Sequence, residues 1–242
     1  MMYIETPANP TNSLIDIRRC KSIANDLTDN GKKVILAVDN TFMGPLWQHP
    51  LEHGADFSVY SATKYIGGHS DLVAGACMGG RELIARLKTA RSYFGNIVDP
   101  GTASMLLRSL ETLHLRMEKQ AVTALETARF LNNHPKVKKV YYLGFIPKGT
   151  QEYDLFIRQH RSNGAMISFD IEGGRDEAFR FLNALKLVKL AVSLGGTESL
   201  IEHPATMTHV GLSDELKLES SVSDSMIRLS VGVENVIDIL WD

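Results

Sequence analysis

The sequence is poor in the features that mark several common protein classes. Only two cysteines, Cys20 and Cys77, occur among its 242 residues, and they are not in C-x-x-C spacing, so neither a disulfide framework nor a zinc knuckle is indicated. No apolar run reaches the length of a membrane span, and the N-terminus lacks the charged-then-apolar layout of a signal peptide. We therefore expect a protein of a reducing compartment, the cytoplasm, with no membrane partner.

Charge of one sign is not in excess either. The 26 basic and 28 acidic side chains give a net charge of −2 with no basic tract, so nucleic acid is not an expected partner. His49 and His53 are four residues apart, but Pro45 and Pro50 interrupt any helix that would place them together. No metal site is predicted.

The patterns that are present alternate between strand and helix, which predicts an α/β fold with a mainly parallel sheet and a smaller C-terminal α/β unit. Predicted strands cover residues 34–38, 57–60, 72–80, 137–143, 165–171, 187–194 and 226–231. Predicted helices cover residues 14–30, 81–93, 104–132 and 176–185, the first with Asn30-Gly31 as its C-cap. Residues 144–163, with Pro147 and Gly149, are interpreted as a surface excursion.

One stretch places an acid and an amine after two successive strands. The first strand is followed by Asp39, and the second leads into Ser61, Thr63 and Lys64. Ligand sites of open α/β sheets lie at the carboxyl ends of the strands. If residues 61–63 are extended, Ser61 and Thr63 point the same way and offer two hydroxyls to one anion, while Lys64 points elsewhere.

An acid, two hydroxyls and a lysine are the groups that hold pyridoxal phosphate. The lysine forms a Schiff base, the carboxylate keeps the pyridine nitrogen protonated, and the hydroxyls contact the phosphate. Each residue alone has an ordinary alternative, since Lys64 can be a solvated surface charge and Asp39 can cap the next helix. The combination favours the cofactor site.

A second candidate is an arginine on a C-terminal strand. Ile227, Leu229 and Val231 share one face of this strand, which leaves Arg228 and Ser230 on the other. An arginine on an open strand face can bind a carboxylate through both prongs of its guanidinium. From alternation alone, a structural salt bridge is the other interpretation.

Six motifs in order resemble the Cys/Met-metabolism family of pyridoxal-phosphate enzymes, over nearly the whole chain. They are IETPANP at residues 4–10, VDNTF at 38–42, SATKYIGGH at 61–69, SLGGTESL at 193–200, EHPATMTH at 202–209 and IRLSVG at 227–232. The family includes cystathionine γ-lyase, cystathionine γ-synthase, cystathionine β-lyase and methionine γ-lyase. The resemblance implies fold-type I, with residues 1–115 as part of the cofactor-binding domain and 116–242 as the small domain.

The resemblance also assigns roles to individual residues. It implies that Lys64 is the catalytic Schiff-base lysine and that a sulfur-containing amino acid is the substrate. The implied cofactor contacts are Asn9 to the ring, Asp39 to the pyridine nitrogen, and Ser61 and Thr63 to the phosphate. The implied substrate contacts are Arg228, which binds the α-carboxylate, and Ser193 and Thr208, which support it; by themselves these two would be turn or strand hydroxyls bonded to backbone.

In members of the family, the loop that corresponds to residues 4–10 lies far from the N-terminus of the polypeptide. We therefore expect this chain to lack an N-terminal part. The glycine-rich phosphate loop and an aromatic residue that stacks on the ring belong to that part in the family. A helix N-terminus is the main cradle for a phosphate, so we expect little or no lyase activity from this polypeptide alone. The resemblance further implies a dimer or tetramer, or completion by a separate N-terminal piece.

Three hypotheses of different classes follow. The favoured one is a pyridoxal-phosphate lyase or transsulfuration enzyme, with γ-elimination or γ-replacement on methionine, cystathionine or an activated homoserine. The second is a non-catalytic remnant or assembly module of the same family. The third interprets Ser61 to Lys64 as the S-x-x-K of a serine acyl-transfer enzyme, although the companion Ser-Asp-Asn and Lys-Thr-Gly elements are missing from the sequence.

Overall fold

The computed structural model describes residues 1–28 and 32–242, and the predicted C-cap at Asn30-Gly31 lies outside these residues. Two sheets organise the described chain, in agreement with the predicted α/β class. The first sheet contains β1 (Met2–Glu5), β2 (Leu36–Asp39), β3 (Phe57–Ser61) and β4 (Gly75–Gly79). The second contains β5 (Val137–Tyr141), β6 (Met166–Ile171), β7 (Lys189–Leu190), β8 (Leu200–Glu202) and β9 (Met226–Ser230).

The helices lie between and around these strands. They are α1 (Ile17–Asp26), α2 (Gly44–Trp47), α3 (Arg81–Phe94), α4 (Pro100–Asn132), α5 (Gln151–Gln159), α6 (Arg175–Ala184), α7 (Asp214–Glu219) and α8 (Val236–Trp241). Within the described ranges, none of them combines the length and apolarity needed to cross a bilayer.

The first sheet has the order β1-β2-β3-β4, with β1, β2 and β3 parallel and β4 antiparallel to β3. Leu36, Ala37 and Val38 of β2 are buried, as expected for a strand covered on both faces. Helix α1 covers one face with Ile17, which packs against Leu36 and Val38. It begins after Asp16, whose carboxylate caps the helix, so it starts three residues later than predicted.

The second sheet has the order β5-β6-β9-β8-β7, and its central strands β6 and β9 are buried along their whole length. Helices α4, α6 and α8 supply Met117, Ala178 and Ile239 to the core on it. The predicted strand at 187–194 is realised only as the two-residue β7, and the sequence analysis missed β8 altogether. Both strands are too short to give a periodic signal.

The interpretation of residues 144–163 as a surface excursion is wrong, because they contain α5. Thr150 caps this helix by accepting the amide of Tyr153, and Phe156 and Gln159 are buried on its inner side. Charged residues occupy the outer side, so composition alone suggested a loop. Helix α4 begins four residues earlier than predicted because Asp99 caps it ahead of Pro100.

Helix α4 is the longest element, with 33 residues. Its first half is mostly exposed, whereas its second half packs on the second sheet through Met117, Ala124 and Ala128. The predicted domain division between residues 115 and 116 falls inside this helix. This division stays a prediction. If it is correct, one continuous helix, α4, belongs to both domains.

Candidate active site

Asp39 ends β2 at the same edge of the first sheet at which β3 ends, since the two strands are parallel. Its Oδ1 accepts hydrogen bonds from the Thr41 amide at 3.0 Å and the Thr41 hydroxyl at 2.6 Å, and its Oδ2 accepts one from the Tyr3 hydroxyl at 2.9 Å. Three donors thus fix the orientation of this carboxyl group. Burial and the hydrogen bond to Asp39 raise the pKa of Tyr3 to about 12, which keeps its hydroxyl a donor.

Lys64 lies in the turn that follows β3. The turn is closed by the Lys64 amide, which donates to the Ser61 carbonyl at 3.0 Å, and by the Gly68 amide, which donates to the Lys64 carbonyl at 2.7 Å. The Lys64 side chain reaches across to the second sheet, where Nζ donates to the Ser193 hydroxyl at 3.1 Å. Burial, and then the charge of Arg228, lower the pKa of Lys64, which favours the neutral, nucleophilic amine.

The geometry assumed for Ser61 and Thr63 is wrong in one respect, because the strand ends at Ser61 and Thr63 lies in the turn. Residues two apart therefore do not share a face there. The Thr63 hydroxyl accepts from the Ala74 amide at 3.0 Å and lies 3.3 Å from the Ala74 carbonyl, to which it donates. As a phosphate donor, Thr63 would have to release that carbonyl.

Arg228 does not lie on an open strand face, contrary to the sequence interpretation. The guanidinium is covered, and the residue is only 2% exposed. Nη2 donates to the carbonyls of Val192 at 2.9 Å and Ser193 at 3.1 Å, and Nη1 donates to the Asn9 side-chain oxygen at 3.1 Å. Together with the Lys64–Ser193 hydrogen bond, these contacts connect Arg228, Ser193 and Lys64 in one cluster.

The sequence analysis missed Glu202 as a site residue. It lies directly opposite Arg228 in the β8–β9 pair, and its Oε1 forms an ion pair with Arg228 Nη1 at 2.8 Å. The Thr208 hydroxyl donates to the same oxygen at 2.9 Å. Burial raises the pKa of Glu202, and the Arg228 charge opposes that rise. The one available signal was an acid that directly follows two apolar residues, Leu200 and Ile201.

Asn9 connects the first sheet to this pair. Its amide donates to Glu5 Oε1 at 2.7 Å, while its side-chain oxygen accepts from Arg228. Glu5 is the register partner of Asp39 in the parallel β1–β2 pair, so two carboxyl groups lie side by side at this edge. Burial is the main cause that raises the pKa of Glu5.

The segment that carries Ser193 depends on Gly195. This residue has φ +73°, and a Cβ placed on it would lie 2.8 Å from the Tyr65 backbone nitrogen. Its amide donates to the Ser230 hydroxyl at 2.8 Å, which ties the segment to β9. Only a glycine allows this close approach to the residue that follows Lys64.

The structure brings all eight predicted site residues to one region, and their chemistry fits pyridoxal phosphate. An amine of lowered pKa suits an aldehyde, and an oriented carboxyl group suits a pyridine nitrogen. The acyl-transfer alternative lacks its geometry, because Ser61 ends a strand instead of starting a helix and Lys64 Nζ contacts Ser193.

Known proteins resemble this chain along its whole length. The family described as Cys/Met metabolism PLP-dependent enzyme matches residues 1–242. The L-methionine gamma-lyase of Fusobacterium nucleatum is 41% identical over 244 residues, covering 100% of this chain and 60% of that protein. The cystathionine gamma-lyase of Dictyostelium discoideum is 42% identical over 243 residues, covering 100% of this chain and 61% of that protein. The chain thus spans about 60% of the length of these relatives.

Solved structures agree with the sequence matches. Cystathionine gamma synthase from Xanthomonas oryzae pv. oryzae, in complex with aminoacrylate and cysteine, superposes with a TM-score of 0.92 at 38% identity. The alignment covers 99% of this chain and 60% of that one. A cystathione gamma lyase from Micromonospora echinospora gives a TM-score of 0.91 at 38% identity, with 99% and 61% covered. The predicted α/β fold of fold-type I is confirmed.

Proposed function

This chain belongs to the Cys/Met metabolism family of pyridoxal-phosphate-dependent enzymes, and from that membership we propose that it acts on a sulfur-containing amino acid. The reaction is γ-elimination or γ-replacement on methionine, cystathionine or an activated homoserine. The observation that carries the proposal is that Lys64 Nζ contacts the Ser193 hydroxyl while the Arg228 guanidinium contacts the Ser193 carbonyl. The amine that would bind the cofactor and the cation that would bind the substrate carboxylate thus contact the same residue, Ser193.

In the proposed site, five residues hold pyridoxal phosphate. Lys64 attaches it through Nζ, Asp39 faces the pyridine nitrogen, Asn9 contacts the ring, and Ser61 and Thr63 contact the phosphate. The bound cofactor supplies an electron sink for the bond that breaks at the α-carbon. The Asp39 carboxyl group would keep that sink effective by holding a proton on the ring nitrogen.

The substrate is oriented from the other sheet. Arg228 binds the α-carboxylate, and the carbonyls of Val192 and Ser193 hold its guanidinium at the required angle. Thr208 acts through Glu202. The Lys64 amine, when free, would accept the proton from the α-carbon of the substrate, which suits a lysine whose pKa burial has lowered.

An absorbance spectrum of the purified chain with pyridoxal phosphate tests the cofactor site. We expect a visible band in the wild type and in Lys88→Ala, an exposed lysine on α3, and no such band in Lys64→Ala. The same band in Lys64→Ala would overturn the assignment of Lys64. Asp39→Asn is expected to keep the band, because Lys64 remains available to the cofactor.

A second candidate, a non-catalytic assembly module, is favoured by one observation. Helix α3 has no buried residue, and Tyr93 and Phe94 at its end are 85% and 84% exposed. Such an apolar surface is typical of an interface with another polypeptide. The module predicts no Lys64-dependent band, so the same spectrum separates it from the enzyme.

We further propose that the protein assembles as a homodimer or homotetramer, or with a separate polypeptide, and that it works in the cytoplasm. The exposed surface at α3 supports assembly, and the unpaired thiols of Cys20 and Cys77 are compatible with a reducing compartment. Sedimentation of the purified chain would give a mass at least twice that of the monomer, whereas a monomeric mass would contradict self-assembly.

A further inference from the structure

The Arg228 guanidinium is already fully engaged through its two terminal nitrogens. Nη1 donates to Asn9 and forms an ion pair with Glu202, and Nη2 donates to two backbone carbonyls. Only Nε is buried with no hydrogen-bond partner within the described ranges. A ligand carboxylate that binds Arg228 therefore binds a cation that is already paired with the Glu202 carboxylate.

That counter-ion is unusually enclosed. Glu202 is 0% exposed, and its Oε1 receives both Arg228 and the Thr208 hydroxyl. In the described part of the chain, its Oε2 is buried and has no hydrogen-bond partner. A carboxylate with one satisfied oxygen and one orphaned oxygen keeps its charge because of the single cation beside it.

We propose that Glu202 is a positioning residue that holds Arg228 in place and takes up a proton, at Oε2, when a carboxylate ligand binds Arg228. Two carboxylates then share one guanidinium in a buried pocket, and like charges so close favour the neutral form of one of them. The ligand carboxylate arrives from solvent, whereas Glu202 has a buried oxygen, Oε2, with no hydrogen-bond partner in the described part of the chain. Glu202 is therefore the group that takes up the proton. The proton comes from solvent, so charge is balanced.

The proposal rests on the proposed role of Arg228 but does not require the cofactor. The titratable groups that face the pair are Lys64 and Tyr65 from the turn after β3, Glu5 from β1 and His209 beside Thr208. Lys64 also loses charge as the pH rises, which by itself would weaken carboxylate binding. A test must separate Lys64 from Glu202.

The probe is 4-(methylthio)butanoate labelled with 13C at its carboxyl group, a carboxylate that has no amine to react. Its dissociation constant is measured by NMR titration of the full chain between about pH 6 and pH 9. Binding coupled to uptake of one proton weakens by up to about tenfold per pH unit. We expect this slope in the wild type and in Lys64→Ala, and a flat profile when Glu202→Gln is combined with Lys64→Ala.

Glu202→Gln keeps the shape of the side chain and an oxygen for Arg228, and its thermal unfolding verifies that it folds. A second variant, Thr208→Val, removes a hydrogen bond that lowers the pKa of Glu202, so the loss of affinity should begin at a higher pH than in the wild type. An unchanged slope in Glu202→Gln, or a slope that vanishes in Lys64→Ala, would overturn the proposal.

The outcome is distinguishable from that of the cofactor experiment. If the wild type fails to bind the probe, Glu202 has no carboxylate to respond to and the inference is refuted. The Lys64-dependent absorbance band would stand in that case, because it does not involve Arg228.

Discussion

Helix α3 and strand β9 both carry apolar residues, yet they end in opposite environments. All five residues of β9 are buried, whereas no residue of α3 is, and its Leu87 is 40% exposed. The difference lies in what covers them, since β9 is the middle strand of the second sheet and α3 packs against the edge strand β4. An apolar pattern predicts an element, but the surrounding fold decides whether it joins a core.

The candidate active site joins the first sheet to the second sheet. Lys64 belongs to the first sheet, Arg228 to the second, and the Ser193 segment contacts both. A well-packed second sheet thus provides the fixed half of the pocket. The predictions below compare residues that lie inside this packed region or at its junction with matched residues outside it.

The largest effect is expected in the core of the second sheet. Phe169 of β6 is 1% exposed and packs edge-on against Phe181. We expect Phe169→Ala to lower the free energy of unfolding by about 3 to 5 kcal/mol, because the substitution leaves a cavity. Leu87→Ala on α3 should change it by less than about 0.5 kcal/mol. Urea denaturation measures both, and similar values would contradict the contrast.

Arg116 links helix α4 to the turn that carries Lys64. Its guanidinium donates to the carbonyls of Tyr65 at 2.8 Å and Ser109 at 2.9 Å. We expect Arg116→Met to destabilise the protein by about 1 to 3 kcal/mol, since it leaves the buried Tyr65 carbonyl without this donor. The exposed Arg108, two turns earlier on α4, is the control. Equal midpoints for Arg116→Met and Arg108→Met in urea would refute this link.

A pH effect is expected from His160, which follows α5. The residue is buried and stacks on Phe156, and burial lowers its pKa to about 4. The unfolded chain, with a histidine pKa of about 6.5, binds this proton first as the pH falls. Stability should therefore decrease between about pH 6.5 and pH 4, by up to about 3 kcal/mol.

His160→Gln removes the titrating group and should flatten the acid side of the stability profile. His114→Gln, at an exposed site on α4, should keep the wild-type slope. Urea unfolding at several pH values measures the slopes. An unchanged slope in His160→Gln would assign the acid sensitivity to other groups.

The smallest effect is a comparison of two glycines with positive φ. Gly195 has φ +73° and a close approach to the Tyr65 backbone, whereas Gly149 has φ +83° and open space around it. Gly149→Ala should cost about 1 kcal/mol for backbone strain alone, and Gly195→Ala should cost about 1 to 3 kcal/mol more. Equal losses in thermal unfolding would show that the contact with Tyr65 is unimportant.

The sequence predicted the parts of the fold that have local signals. The apolar runs before Asp39 and Lys64 placed both residues at one edge of a parallel sheet, and the structure has them there. Helices α1, α3 and α4 were found from periodicity, with starts corrected by the caps Asp16 and Asp99. The exposure of α3 was not predictable, because the sequence of an amphipathic helix does not show which element packs against its apolar face.

The missed features depend on contacts between residues far apart in the chain. Glu202 becomes a site residue only through the register that sets it opposite Arg228, and β8 has three residues. Helix α5 was hidden among charged residues and the breakers Pro147 and Gly149. Ser193 and Thr208 were identified from family resemblance alone, since their hydroxyls have no local sequence signal.

The central claim is that Lys64 is the residue to which pyridoxal phosphate attaches. The most direct measurement is borohydride reduction of the chain with bound cofactor, followed by mass spectrometry of its peptides. The account predicts that the reduced pyridoxyl group is found on the peptide that contains Lys64, and that Lys64→Ala carries none. A label found mainly on another lysine, such as Lys88, would contradict it.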